Sequence, residues 1–222
     1  MSYQNSPNGQ LLLKRVSNVG ATPTSTTLSL PINNITPSVF RLGYQPNTLF
    51  VGDYSGLLFK ATQMDQPNPT ATQINTSMLA QSYSQGTIMC IELGASDDEI
   101  LLTTTNYGQK SVWFTRDGGQ TWTSKDEQGF GVPDIPVRYA LFNPKDRRQV
   151  MLATELGVWF TNNVYAPNPG WAPANTGLAN VRCDMLHYRN ADGQVAVGTR
   201  GREILPPTFS LNPSPMRSWW YP

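Results

Sequence analysis

A strand, a glycine-containing turn and a second strand recur through this chain, and this internal repeat limits the fold more than any single motif does. Val51-Gly52-Asp53-Tyr54-Ser55-Gly56-Leu57-Leu58-Phe59 aligns without gaps to Leu152-Ala153-Thr154-Glu155-Leu156-Gly157-Val158-Trp159-Phe160. Val197-Gly198-Thr199-Arg200-Gly201-Arg202-Glu203-Ile204-Leu205 follows the same template more loosely. A fourth copy, at 101–105 and 111–115, has a slightly longer link. The period of roughly 45 to 55 residues suits a unit of four short strands.

Each copy is preceded by another apolar run, at 39–44, 88–93, 137–142 and 181–186. Those runs end in Gln45-Pro46-Asn47, Gly94-Ala95-Ser96-Asp97, Asn143-Pro144-Lys145-Asp146 and Arg189-Asn190-Ala191-Asp192-Gly193. Proline pre-sets φ, while asparagine, aspartate and glycine tolerate left-handed backbone, so all four read as turns. The order within a unit is therefore first strand, turn, second strand, glycine turn, third strand, turn, outer strand. Complete units are expected at 37–77, 86–127 and 136–178. The ends are incomplete: 10–34 reads as two outer strands and 180–205 as two inner ones. Together the ends supply one composite unit, which closes a ring of about four and removes free strand edges. A closed ring, part of a larger ring, or two paired chains all satisfy this pattern. Residues 1–9 are read as an extension and 206–222 as a tail.

Composition agrees. Charged residues are 14% of the 222, against roughly 25% in an ordinary soluble protein. Thr, Ser, Asn and Gln supply the polarity, with 18 Gly and 18 Pro, a mix that disfavours long helices and favours short strands. This looks like an extracellular all-β protein. A net charge of +1 and scattered basic residues give no field for nucleic acid. No apolar run is long enough for a membrane span. Met1-Ser2-Tyr3-Gln4-Asn5 is unlike a signal peptide, so the chain is read as a processed or trimmed piece of a longer one. Cys90 and Cys183 allow one disulfide; two buried free thiols are the simpler expectation. No His/Cys cluster suggests a metal, and no cofactor motif is present.

The stretch Thr115-Arg116-Asp117-Gly118-Gly119-Gln120-Thr121-Trp122 is the most informative local motif. Asp117 is suited to accept turn amides, Gly118 and Gly119 permit positive φ, and Trp122 offers a large apolar surface. The pattern Ser/Thr-x-Asp-x-Gly-x-Thr-Trp resembles the Asp box (BNR motif) of sialidase-like β-propellers. Val132-Pro133-Asp134-Ile135-Pro136-Val137, Phe142-Asn143-Pro144 and the closing Val197-Gly198-Thr199-Arg200-Gly201-Arg202 extend the resemblance to the terminal blades of secreted bacterial BNR/YVTN-type propellers. Glu203 stands where that family usually has a glycine. Thr161-Asn162-Asn163 starts a second box without its aspartate, leaving Trp171 as the anchor.

The resemblance implies an all-β propeller of four-stranded blades, with Thr115, Asp117, Gly119, Thr121 and Trp122 structural at a blade rim. It leaves activity open, because that family includes glycosidases and inert modules. A sialidase-like site would use Arg41, Arg138 and Arg182, each in or at the start of a first strand, as a carboxylate clamp. It would also need a tyrosine nucleophile, but alternation sends Tyr139 to the face opposite Arg138. A xyloglucan-active site would need two facing carboxylates, drawn from Asp53, Asp97, Asp98, Glu155 and Asp184. Asp97-Asp98-Glu99 is expected to be solvated. His187, the only histidine, lies in a strand with no serine motif nearby. Trp113, Trp122, Trp159 and Trp171 read as packing residues, whereas Trp219, Trp220 and Tyr221 form a possible interaction tail. The expectation is a non-catalytic binding or scaffold module of a secreted or surface protein. Its partner would be a protein or a glycan, or a second copy joined through blade edges or the tail. The alternative is a glycoside hydrolase.

Overall fold

The structure, a computed structural model, describes residues 3–79, 86–174, 178 and 180–201. Two compact units divide the chain: Met1–Ile100 with Thr115–Trp122, and Leu101–Phe114 with Thr123–Pro222. Short strands make up nearly all of the regular structure. They are β1 (Tyr3–Asn5), β2 (Gln10–Ser17), β3 (Thr24–Asn33), β4 (Pro37–Leu42), β5 (Leu49–Asp53), β6 (Leu58–Thr62), β7 (Thr70–Ile74) and β8 (Ile88–Leu93). Then come β9 (Ile100–Thr104), β10 (Val112–Thr115), β11 (Thr123–Ser124), β12 (Val137–Asn143), β13 (Asp146–Thr154), β14 (Gly157–Thr161), β15 (Ala172–Pro173), β16 (Cys183–Arg189) and β17 (Gln194–Thr199). One 3-10 turn, Ser77–Leu79, follows β7. The five sheets are β1-β2-β3, β4-β5-β6-β7, β8-β9-β10-β11, β12-β13-β14-β15 and β16-β17.

The second strands of the four-stranded sheets are buried over most of their length. β5 (LFVGD) and β9 (ILLTT) have no exposed residue, and neither does the Val150–Thr154 part of β13. Such strands have both faces covered, which is why they read as continuous apolar runs and not as alternation. In the first unit, alternate residues Leu11 and Leu13 of β2 and Leu28, Leu30 and Ile32 of β3 pack with Leu49, Val51 and Ala61. In the second, Met151, Ala153 and Val158 pack with Cys183, Leu186, Val195 and Val197.

The repeated glycine turn has a common backbone. Gly56 and Gly157 hold equivalent places in the repeat and have φ of +81° and +84°. A side chain would be strained there, which is why glycine recurs at both places. The residue three before the glycine closes the turn with its own side chain. Asp53 accepts the amides of Ser55 and Leu57 at 2.9 and 2.7 Å. Thr154 accepts the Leu156 amide at 3.1 Å and donates to the Gly157 carbonyl at 2.9 Å.

The N-terminal segment departs from the reading of 1–9 as an extension. Tyr3–Asn5 pairs with residues 11–13 as β1, through a turn at Ser6-Pro7-Asn8-Gly9 in which Gly9 has φ +78°. Pro-Asn-Gly is a strong turn signal, but three residues are too short a strand to show a period. The ends of the described chain form separate sheets, β1-β2-β3 and β16-β17. Trp219, Trp220 and Tyr221 lie outside the described residues.

Both cysteines are buried and unbonded. Burial pushes the Cys183 thiol up to about 11, with the nearby Asp184 charge adding to the effect. Because the thiolate is the reactive form, neither sulfur should react in the folded protein. A disulfide-exchange reagent should titrate no thiol under native conditions and both after denaturation.

Candidate functional site

The turn at 115–121 is a closed hydrogen-bond network. Thr115 Oγ1 donates to Asp117 Oδ1 at 2.7 Å and accepts the amides of Asp117 and Gly119 at 3.3 and 3.1 Å. Asp117 in turn accepts the Thr121 amide at 2.9 Å and the Thr121 hydroxyl at 2.5 Å. These donors, first the Thr115 and Thr121 hydroxyls, hold the Asp117 carboxyl well below the usual carboxylate range. Gly118 and Gly119 have φ of +71° and +87°, and a Cβ on Gly119 would lie 2.2 Å from Ile74 Cγ2. Every acceptor position of Asp117 that the turn needs is therefore committed to backbone and hydroxyl donors.

Trp122 continues the anchor. Its indole Nε1–H donates to the Asn75 carbonyl at 2.7 Å, just beyond β7. The degenerate box repeats the geometry: Trp171 Nε1 donates to the Lys125 carbonyl at 2.7 Å, just beyond β11. Trp171 is 4% exposed, whereas Trp122 is only half-buried. Asn163 substitutes for the missing aspartate, its Oδ1 accepting the Tyr165 amide at 3.2 Å, while Thr161 Oγ1 accepts the Asn163 amide at 3.1 Å. Lys125 itself is buried, with Nζ 2.9 Å from the Ala166 carbonyl and 5.7 Å from the centre of the Phe114 ring. Desolvation lowers its pKa.

The first-strand arginines are all paired with acidic side chains of the fold. In the first unit, Arg41 of β4 lies 3.0 Å from Glu92 of β8. In the second, Arg138 of β12 donates from Nε to Glu155 at 2.8 Å and lies 3.5 Å from Asp184. Arg182 donates to Asp184 at 2.6 Å and lies 3.9 Å from Glu155. Arg138, Arg182, Glu155 and Asp184 thus form a four-member cluster with no net charge. Its guanidiniums meet carboxylates of the protein, and its two carboxylates share both arginines. Tyr139 packs against the second core, and Arg138 lies at a register break of β12 between Val137 and Tyr139.

The remaining candidates are dispersed. Asp53 caps the β5–β6 turn, and burial pushes its carboxyl up despite the amides it accepts. Asp97 and Glu99 correct the reading of 97–99 as a solvated turn, since each is only 6% exposed. Asp97 accepts the Tyr44 amide at 2.6 Å and faces Lys60 at 3.5 Å. Glu99 accepts the Ala95 amide at 2.6 Å and faces Arg116 at 3.8 Å. Tyr44, Lys60 and Arg116 lie on other strands and turns, so adjacency in sequence gave no sign of them. His187 is exposed on β16 opposite Ala196. Among the described residues, no group of three or more His, Cys, Asp or Glu is placed to hold a metal. None of their helices is long and apolar enough to cross a membrane.

Sequence reading missed one feature, a cleft of about 470 Å³ in the first unit. It is lined by the β5–β6 turn (Ser55, Gly56, Leu57) and by residues 73–77 with Leu79. Its residues are uncharged, polar and apolar side by side, and no motif marks them.

No family model matches the chain, and neither does any curated protein. Solved structures do. The C-terminal WD40 domain of Sif2 matches with TM-score 0.57 and 13% identity, over 91% of this chain and 52% of that one. Sqt1 from Chaetomium thermophilum matches with TM-score 0.60 and 13% identity, over 89% of this chain and 50% of that one. The fold is propeller-like. An ancestral GH74 enzyme shares it with TM-score 0.57 and 12% identity, over 89% of this chain and 27% of that one. This chain thus spans about half the length of these propellers or less, and at such identities the likeness shows the fold alone.

The depressed Asp117 carboxyl gives a signed pH dependence. Its contribution to stability is present above the ordinary value of 3.8 and is lost as pH falls toward the depressed folded value. Asp117→Asn should therefore lower the melting temperature most at neutral pH. The gap to the parent should close as the pH of a thermal-denaturation series drops below 3.8.

Proposed function

We propose that this chain is a non-catalytic binding or scaffold module of the Asp-box propeller type, part of a secreted or cell-surface bacterial protein. The observation that carries the reading is the pairing of Arg41 with Glu92, and of Arg138 and Arg182 with Glu155 and Asp184. A substrate carboxylate entering this cluster must displace an internal carboxylate that already has the matching geometry. A glycosidase needs one carboxyl able to give a proton and a second free to act as base or nucleophile. Glu155 and Asp184 are both engaged with guanidiniums of the fold, which leaves neither free for that role. Short strands held in sheets present loops as a binding surface. The partner is a protein or a glycan, and a second copy joined at a strand edge is a further possibility of the same surface.

The glycosidase alternative is tested by a hydrolysis screen on fluorogenic sialosides and xyloglucan oligosaccharides. The expected result is no turnover above the buffer rate, unchanged by Arg138→Ala or Asp184→Asn. Turnover that disappears in either variant would contradict the proposal.

A further inference from the structure

We infer that the cleft of the first unit is a binding site for a neutral saccharide, formed by the β5–β6 turn on one side and residues 73–79 on the other. The inference rests on the binding-module reading above and gives it a ligand class and a place.

Both walls are fixed before any ligand arrives. On the first, Asp53 holds the amides of Ser55 and Leu57, and the Gly56 amide donates to the Asp53 carbonyl at 3.3 Å. On the second, Asn75 Oδ1 accepts the Ser77 amide at 3.0 Å, and the Leu79 amide donates to the Thr76 carbonyl at 2.9 Å. The Asn75 carbonyl is pinned by the Trp122 indole at 2.7 Å. Walls held in this way lower the ordering cost of binding. Gly56 keeps the space open: a Cβ there would lie 3.0 Å from the Gly86 carbonyl and 3.5 Å from Leu79.

The lining chemistry selects the ligand. None of the nine lining residues is ionisable, so the cleft offers no charge to an acidic or basic ligand. It offers the amides of Gln73 and Asn75 and the hydroxyls of Ser55, Thr76 and Ser77, which both donate and accept. With the Asn75 oxygen engaged by Ser77, its NH₂ group is left to donate to a ligand. Leu57, Ile74 and Leu79 supply apolar surface between these groups. Alternating C–H faces and hydroxyl edges of a sugar ring match such a mixture, and a volume of about 470 Å³ falls within the range of small-ligand sites.

The test is calorimetric titration of the full chain with neutral tetrasaccharides (cello-, xylo-, manno- and chito-series), with sialyllactose as an acidic probe. At least one neutral series should bind, and sialyllactose should bind no better. Gln73→Ala should weaken binding about fivefold, the loss of about one hydrogen bond. Ser77→Trp, which puts bulk on an exposed position beside the cleft, should weaken it tenfold or more while leaving the melting temperature unchanged. Absence of binding, binding that survives Ser77→Trp, or preference for sialyllactose overturns the inference. Two failures are distinguishable: no binding and no hydrolysis removes the saccharide site alone, whereas hydrolysis of a bound tetrasaccharide removes the non-catalytic reading and leaves the site.

Discussion

A tryptophan indole donating to a backbone carbonyl is the interaction on which the blade geometry depends. It occurs at Trp122 with Asn75 and again at Trp171 with Lys125, each time at 2.7 Å and each time at a residue that has just left an outer strand. Outer strands end in short irregular segments, where carbonyls lack a ladder partner. An indole supplies the missing donor and covers the site with its ring. The turn at 115–121 is the device that aims Trp122, through Thr115, Asp117 and Thr121. Around Trp171 a threonine and an asparagine do the same with fewer hydrogen bonds, and deeper burial of the ring compensates.

Charge is handled in the same self-contained manner. The chain has few charged residues, and those on first strands meet opposite charges inside their own unit. Asp53, Asp97 and Glu99 are turned inward to accept amides. Each such carboxylate replaces hydration with fixed donors, which stabilises turns at the cost of reactivity. The cleft beside Gln73 and Asn75 is lined by uncharged residues.

The hairpins were legible because their signals are local. Gly56 and Gly157 announce a left-handed turn position, and the fully apolar cores of β5 and β13 announce burial on both faces. The hydrogen bonding of Asp117 was legible for the same reason, since donor and acceptor lie within four residues. Long-range pairs were not. Nothing near Arg41 in the chain points to Glu92, and nothing at Asp97 points to Tyr44 or Lys60, because sheet packing makes those contacts. The cleft was hidden for a further reason. Ser, Thr, Asn and Gln abound in this chain, so their convergence at one place has no signature in sequence.

The central claim, that indole-to-carbonyl bonds hold the blades, is tested most directly by urea denaturation of Trp122→Phe and Trp171→Phe beside the parent. Phenylalanine keeps an aromatic ring and removes the donor, leaving the Lys125 or Asn75 carbonyl without it. Trp171→Phe should lose about 1–3 kcal/mol, the cost of an unsatisfied buried acceptor, and Trp122→Phe less, because water reaches that carbonyl more readily. Equal stability of all three proteins, or a larger loss at Trp122 than at Trp171, would contradict the account.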